Sequence, residues 1–111
     1  MKADSENMKD KAYLLVKVTI APLILNDFNN FWAKEILPFW EKNGARHIRS
    51  FVYTAGGPSN VFFRLFEFDD IASWGKFRKA LADTEEGKAV TKVLYSKWKI
   101  VAEMSLLKAI L

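Results

Sequence analysis

A chain of 111 residues is the size of one domain; half of it is hydrophobic, with nine Phe and four Trp, enough for a core and for an interface besides. Its formal charge of +4 is spread one or two Lys or Arg at a time among acids, with no basic block, so no nucleic-acid partner is expected. The absence of cysteine excludes disulfides, thiolate chemistry and zinc–thiolate sites, and one His cannot build a His-rich metal site.

The N-terminal stretch MKADSENMKDK is polar, lacks the apolar segment of a secretion signal and shows no periodicity. Residues 1–11 are therefore expected to be a mobile tail, leaving 12–111 as a single domain. No apolar run reaches the length of a membrane span, so the expectation is a cytoplasmic protein without a membrane partner. YLLVKVTI (13–20) is rich in β-formers and is followed by Pro22, which predicts a first strand. Asn26 or Asp27 is expected to cap a helix whose apolar face carries Phe28, Phe31, Trp32, Ile36, Phe39 and Trp40. Pro38 predicts a kink inside it, and Asn43-Gly44 its end. RHIRSFVYT and NVFFRLFEF flank Ala55-Gly56-Gly57-Pro58-Ser59, a hairpin loop. Asp69-Asp70 is expected to cap a second helix through Leu81, and Thr84 with Glu85 and Glu86 to open a further one to about Ser96. KIVAEMSLL (99–107) predicts a last strand.

The order β-α-β-β-α-(α)-β predicts an α+β, ferredoxin-like fold: a four-stranded antiparallel sheet with helices on one face. Side chains alternate between the faces of a strand. Leu14, Val16, Val18 and Ile20 are assigned to the helix side, as are Ile48, Ser50, Val52, Val61, Phe63, Leu65, Ala102 and Met104. The uncovered face then collects Lys17, His47, Arg49, Phe51, Tyr53, Phe62, Arg64, Phe66 and Glu103. Such a face is too aromatic for water and too charged for a dry core, which suits a cavity closed by a second sheet. The third strand is aromatic on both faces, so its register can slip by one residue.

LPFWEKNGARHIRSFVYTAGGPSNVFFRLFEFDDIASWGKFRKAL (37–81) resembles the dimeric α/β-barrel proteins and, within them, the NIPSNAP-like group. The resemblance lies in a helix ending at Asn43-Gly44, a strand, a Gly-Gly turn followed by Asn60, and an aromatic strand ending FEFDD. A helix with Trp74 and Arg78 follows, and with the first strand and helix the likeness spans about 13–107. It implies a homodimer in which two ferredoxin-like sheets close into a barrel with helices outside. Relatives include cofactor-free monooxygenases, isomerases, dehydratases and haem-binding members, so the fold does not name a reaction.

His47 is the only side chain suited to proton transfer near neutral pH. Arginines nearby would favour its neutral, basic form. Lys17, Arg49 and Arg64 oppose only Glu103, with Glu67 the next acid, so an anionic ligand would balance the surplus, with Arg offering a bidentate fork. The expected site is thus Lys17, Arg49, Tyr53, Arg64, Phe66 and Glu103 around a small, anionic or aromatic ligand, with no cofactor and no metal. The alternative is a cofactor-independent monooxygenase or isomerase with His47 as general base.

Overall fold

A computed structural model describes residues 10–111, so most of the expected mobile tail lies outside the described residues. The chain runs β1 (Ala12–Thr19), α1 (Leu25–Phe31), a π-helical turn (Trp32–Ile36), α2 (Leu37–Lys42), β2 (Arg46–Val52) and β3 (Val61–Phe68). Helices α3 (Ile71–Asp83) and α4 (Glu85–Ser96) and strand β4 (Val101–Leu107) follow. The four strands form one antiparallel sheet in the order β2-β3-β1-β4, the ferredoxin-like α+β topology.

Local chemistry accounts for most boundaries. The Asp70 carboxylate accepts the Ser73 N–H at 2.7 Å and starts α3, and Thr84 Oγ1 accepts the Gly87 N–H at 3.0 Å and starts α4. Helix α1 departs from the expected Asn26 or Asp27 cap: it begins at Leu25 after Ile24, which makes no side-chain capping bond. At the other end Gly44 turns away with a φ of 99°, and Asn43 Nδ2 donates to the Phe39 carbonyl at 2.8 Å. The disturbance expected at Pro38 takes the form of the π turn one residue before α2, where the Leu37 N–H reaches back five residues to Trp32 O. Asn60 pins the hairpin loop to the end of β1, its side-chain amide donating to Ile20 O at 3.0 Å and its carbonyl accepting the Ile20 N–H at 3.0 Å.

The core lies between the helices and one sheet face. Leu14, Val16, Val18 and Ile20 enter it from β1 as their alternation requires, meeting Phe28, Trp32, Ile36, Phe39, Trp40 and Phe77. Trp40 packs on Phe66 at 4.7 Å and on Phe77 at 4.8 Å between ring centroids.

Strand β3 is turned over relative to the sequence reading. Phe62, Arg64, Phe66 and Phe68 face the helices and are buried, while Phe63, Leu65 and Glu67 alternate with them on the opposite face. Burying three phenyl rings is worth roughly 1.5–3 kcal/mol each. Burying one guanidinium costs several kcal/mol. The phenyl rings prevail, and Arg64 enters the core with them.

Gly87 is buried at the first turn of α4 against the carbonyls of Ala80 and Leu81, where a methyl group has no room. Gly87→Ala is expected to destabilise the fold by about 1–2 kcal/mol net, the overpacking exceeding the roughly 1 kcal/mol that alanine's helix propensity returns. Urea unfolding checks this; an unchanged midpoint would mean that the α3–α4 junction yields freely.

Candidate functional site

The turned-over β3 divides the expected site into two groups on opposite faces of the sheet. His47, Arg64 and Phe66 lie on the helix side, whereas Lys17, Arg49, Tyr53 and Glu103 belong to the uncovered face. His47 changes face because β2 carries a bulge between His47 and Arg49: His47 opposes Phe66 and Ser50 opposes Arg64, although the first pair of residues is three apart and the second two. Ile48, expected in the core, is half-exposed at the bulge instead.

The helix-side group forms a connected polar cluster in aromatic surroundings. Arg64 Nη1 donates to Ser50 Oγ at 2.8 Å and Nη2 donates to Asn29 Oδ1 at 2.6 Å. The guanidinium carbon lies 3.8 Å from the Trp32 ring centroid and 4.6 Å from that of Phe62, so π faces supply part of the stabilisation that water would give. Only 5% of Arg64 is exposed, and burial lowers its pKa to about 10. No carboxylate among the described residues comes within ion-pair distance of it.

His47 completes the cluster. Its Nε2 lies 2.8 Å from Ser50 Oγ, and its ring packs against Trp32 at 5.6 Å and Phe66 at 5.5 Å. Burial, and then the charge of Arg64, hold His47 below its ordinary pKa, with Glu41 opposing. Neutral imidazole is therefore favoured, and the Ser50 hydroxyl, accepting from Arg64, has its own proton to offer Nε2. The chain Arg64–Ser50–His47 couples a fixed cation to a proton acceptor through one hydroxyl. A cavity of about 30 Å³ beside Arg64 is lined by Trp32, Trp40 and Phe66 among others, and the buried Trp40 indole N–H has no hydrogen-bond partner among the described residues.

Charges on the uncovered face are mostly neutralised in place. Lys17 lies 3.7 Å from Glu103, and Glu67 accepts from Lys11 at 3.2 Å and from Arg46 at 2.8 Å. Arg49 is exposed there, and Tyr53 packs edge-on against Phe63 at 5.5 Å. Asn29 and Ser50 were not among the expected site residues. The signal for Ser50 was present, a hydroxyl assigned to the helix side of β2 between two apolar positions. Asn29 has a weaker one, lying three residues before Trp32 on a helix whose other inward positions are apolar.

The fold of this chain has relatives. The NIPSNAP family model matches residues 13–107, and the chain belongs to that family. Among solved structures it is similar to a NIPSNAP family protein of unknown function from Agrobacterium tumefaciens, at 13% identity and a TM-score of 0.73, covering 91% of this chain and 89% of that one. An uncharacterised NIPSNAP-like domain protein from Burkholderia xenovorans is similar at 16% identity and a TM-score of 0.74, covering 92% and 87%. SnoaB, a cofactor-independent oxygenase from Streptomyces nogalater, is similar at 17% identity and a TM-score of 0.63, covering 90% and 93%. None of the curated proteins matches the chain.

The depressed pKa of His47 makes stability depend on pH in a definite sense. As pH falls below 6.5, the unfolded chain takes up this proton before the folded one does. The contribution of His47 is complete above that value and is lost as pH falls through the lower folded-state pKa. His47→Gln is expected to reduce the slope of the urea midpoint between about pH 7.5 and 5. A variant with the parent's slope would assign the dependence to other groups.

Proposed function

We propose that the protein is a homodimer that binds a small anionic, partly aromatic molecule at Arg64, between the helices and the sheet. The observation that carries this reading is a guanidinium only 5% exposed whose hydrogen-bond partners, Ser50 and Asn29, are both uncharged. A buried cation without a counter-ion costs several kcal/mol, and an anionic ligand would offset that cost. The unpartnered Trp40 N–H adds a donor in the same layer, and Trp32, Phe62 and Phe66 offer ring faces. A surplus of donors selects acceptors, that is, carboxylate or phenolate oxygens. The existing 30 Å³ cavity suits about one water, so a larger ligand requires the helical layer over Arg64 to open.

Dimerisation rests on the uncovered sheet face, where Tyr13, Leu15, Phe51, Phe63, Leu65 and Leu107 interleave with ion pairs. Two such faces brought together would enclose Lys17, Arg49, Tyr53 and Glu103.

The hydrogen-bonded chain from Arg64 through Ser50 to His47 favours a second reading, a cofactor-independent enzyme of monooxygenase or isomerase type. In it Arg64 holds the substrate's anion and His47, directly or through Ser50, accepts a proton. The fold likeness to SnoaB is compatible with it.

Native mass spectrometry of the purified protein tests both parts of the proposal. A dimer is expected to carry an added small mass that Arg64→Met no longer retains. With ligand removed, Arg64→Met is expected to stay within about 1 kcal/mol of the parent, relief of the buried charge offsetting the loss of the donor to Ser50 and Asn29. A monomer would remove the dimer. An Arg64→Met protein that keeps the adduct, or is less stable than that, would make Arg64 an ordinary structural residue.

A further inference from the structure

A second recess lies on the other side of the helical layer, where α3 and α4 meet the edge strand β4. It encloses about 500 Å³, within the size range of small-molecule sites. Trp74, Phe77, Leu81 and Met104 form its apolar floor, and Phe77 is fully buried. Trp74 stacks on Phe77 with an interplanar angle of 25°, which makes this part of the floor flat. Arg64 does not line the recess; Met104 borders both it and the small cavity beside Arg64.

The rim is cationic. Arg78 from α3 and Lys88 and Lys92 from α4 line the recess, and among the described residues no acidic one does. Lys88 and Lys92 are four residues apart, a like-charge spacing that weakens a helix slightly. Lys88 reaches Glu85 only at 3.8 Å, and among the described residues neither Arg78 nor Lys92 forms an ion pair. Arg78 sits 5.8 Å from the Trp74 ring centroid, above the floor.

We propose that this recess binds one amphipathic anion, an acyl carboxylate of medium chain length. Its tail lies along Trp74, Leu81 and Met104 and its carboxylate sits among Arg78, Lys88 and Lys92. The floor presents hydrocarbon and a ring face with few groups to read a polar ligand, which favours an alkyl chain. Phe77 is buried beneath the recess, Met104 is exposed at its edge, and Arg78, Lys88 and Lys92 are exposed around it.

Isothermal titration calorimetry of the full chain with decanoate below its micelle concentration tests the proposal, with 1-decanol, decyltrimethylammonium and acetate as comparators. Decanoate is expected to bind once per chain, decanol at least about fivefold more weakly, and the other two not measurably. An Arg78→Gln/Lys92→Gln variant is expected to weaken decanoate at least about fivefold, the sum of two partly exposed ion pairs. Arg64→Met is expected to leave it unchanged, which separates this recess from the site proposed above. Equal binding of decanol, or a double variant that binds like the parent, would overturn charge recognition. Loss of binding in Arg64→Met would place the acyl chain in the other cavity. Binding to anionic vesicles without binding to decanoate would make the face a membrane contact. A double variant that becomes monomeric would give the recess to a second copy of the chain.

Discussion

The buried guanidinium of Arg64 is the constraint around which this half of the molecule is arranged. Taken out of water without a carboxylate, it is surrounded by what else can stabilise a cation: a hydroxyl, a side-chain carbonyl and two aromatic faces. Two of those partners, Ser50 and Trp32, have a backbone feature behind them. Ser50 and His47 reach the cluster together because β2 bulges between His47 and Arg49. Trp32 lies over the guanidinium at the residue where the helix changes from α to π winding. The bulge in β2 and the π turn thus both serve one side chain, a pattern frequent where π turns and bulges re-aim side chains.

The two faces of the sheet handle charge in opposite ways. On the uncovered face, cations and anions are interleaved and largely paired, as in Lys17–Glu103 and the Lys11–Glu67–Arg46–Asp69 chain. Among the described residues the helix side holds the buried cation Arg64, the His47 imidazole with its neutral form favoured, and an unpartnered N–H donor on Trp40. Hydrogen bonds and ion pairs in such a layer act at lower effective dielectric than at the surface, so an acceptor there meets a stronger field than the same acceptor outside.

Much of this architecture is legible in the sequence, and the reasons for the exceptions are physical. The alternation of β1 is unambiguous because one face is aliphatic throughout while the other holds Lys17 and Thr19, and it fixes the core side of the sheet. Asp70 and Thr84 are read as helix starts from their chemistry alone and serve as such. Strand β3 offers aromatic residues to both faces, and only the comparison of three phenyl rings with one charge, made against the actual helix layer, decides its orientation. The bulge in β2 has no residue signature: no glycine marks it, and the His47 ring, packed between Trp32 and Phe66, depends on residues distant in the chain. The candidate site was therefore readable as a set of residue types and not as a place. His47, Arg64 and Phe66 come together, while Lys17, Arg49, Tyr53 and Glu103 stand across the sheet from them.

The central position of β1 also bears on how the chain is made. Its neighbours are β3 and β4, so β1 pairs Tyr13 with Leu107 of β4, far along the chain. Loop closure over such a separation is entropically slow, and β1 keeps an open edge until β4 has been made. A nascent chain therefore holds its apolar β1 residues against an incomplete helical layer. Loss of β4 would thus leave that edge open during translation as well as in the finished sheet.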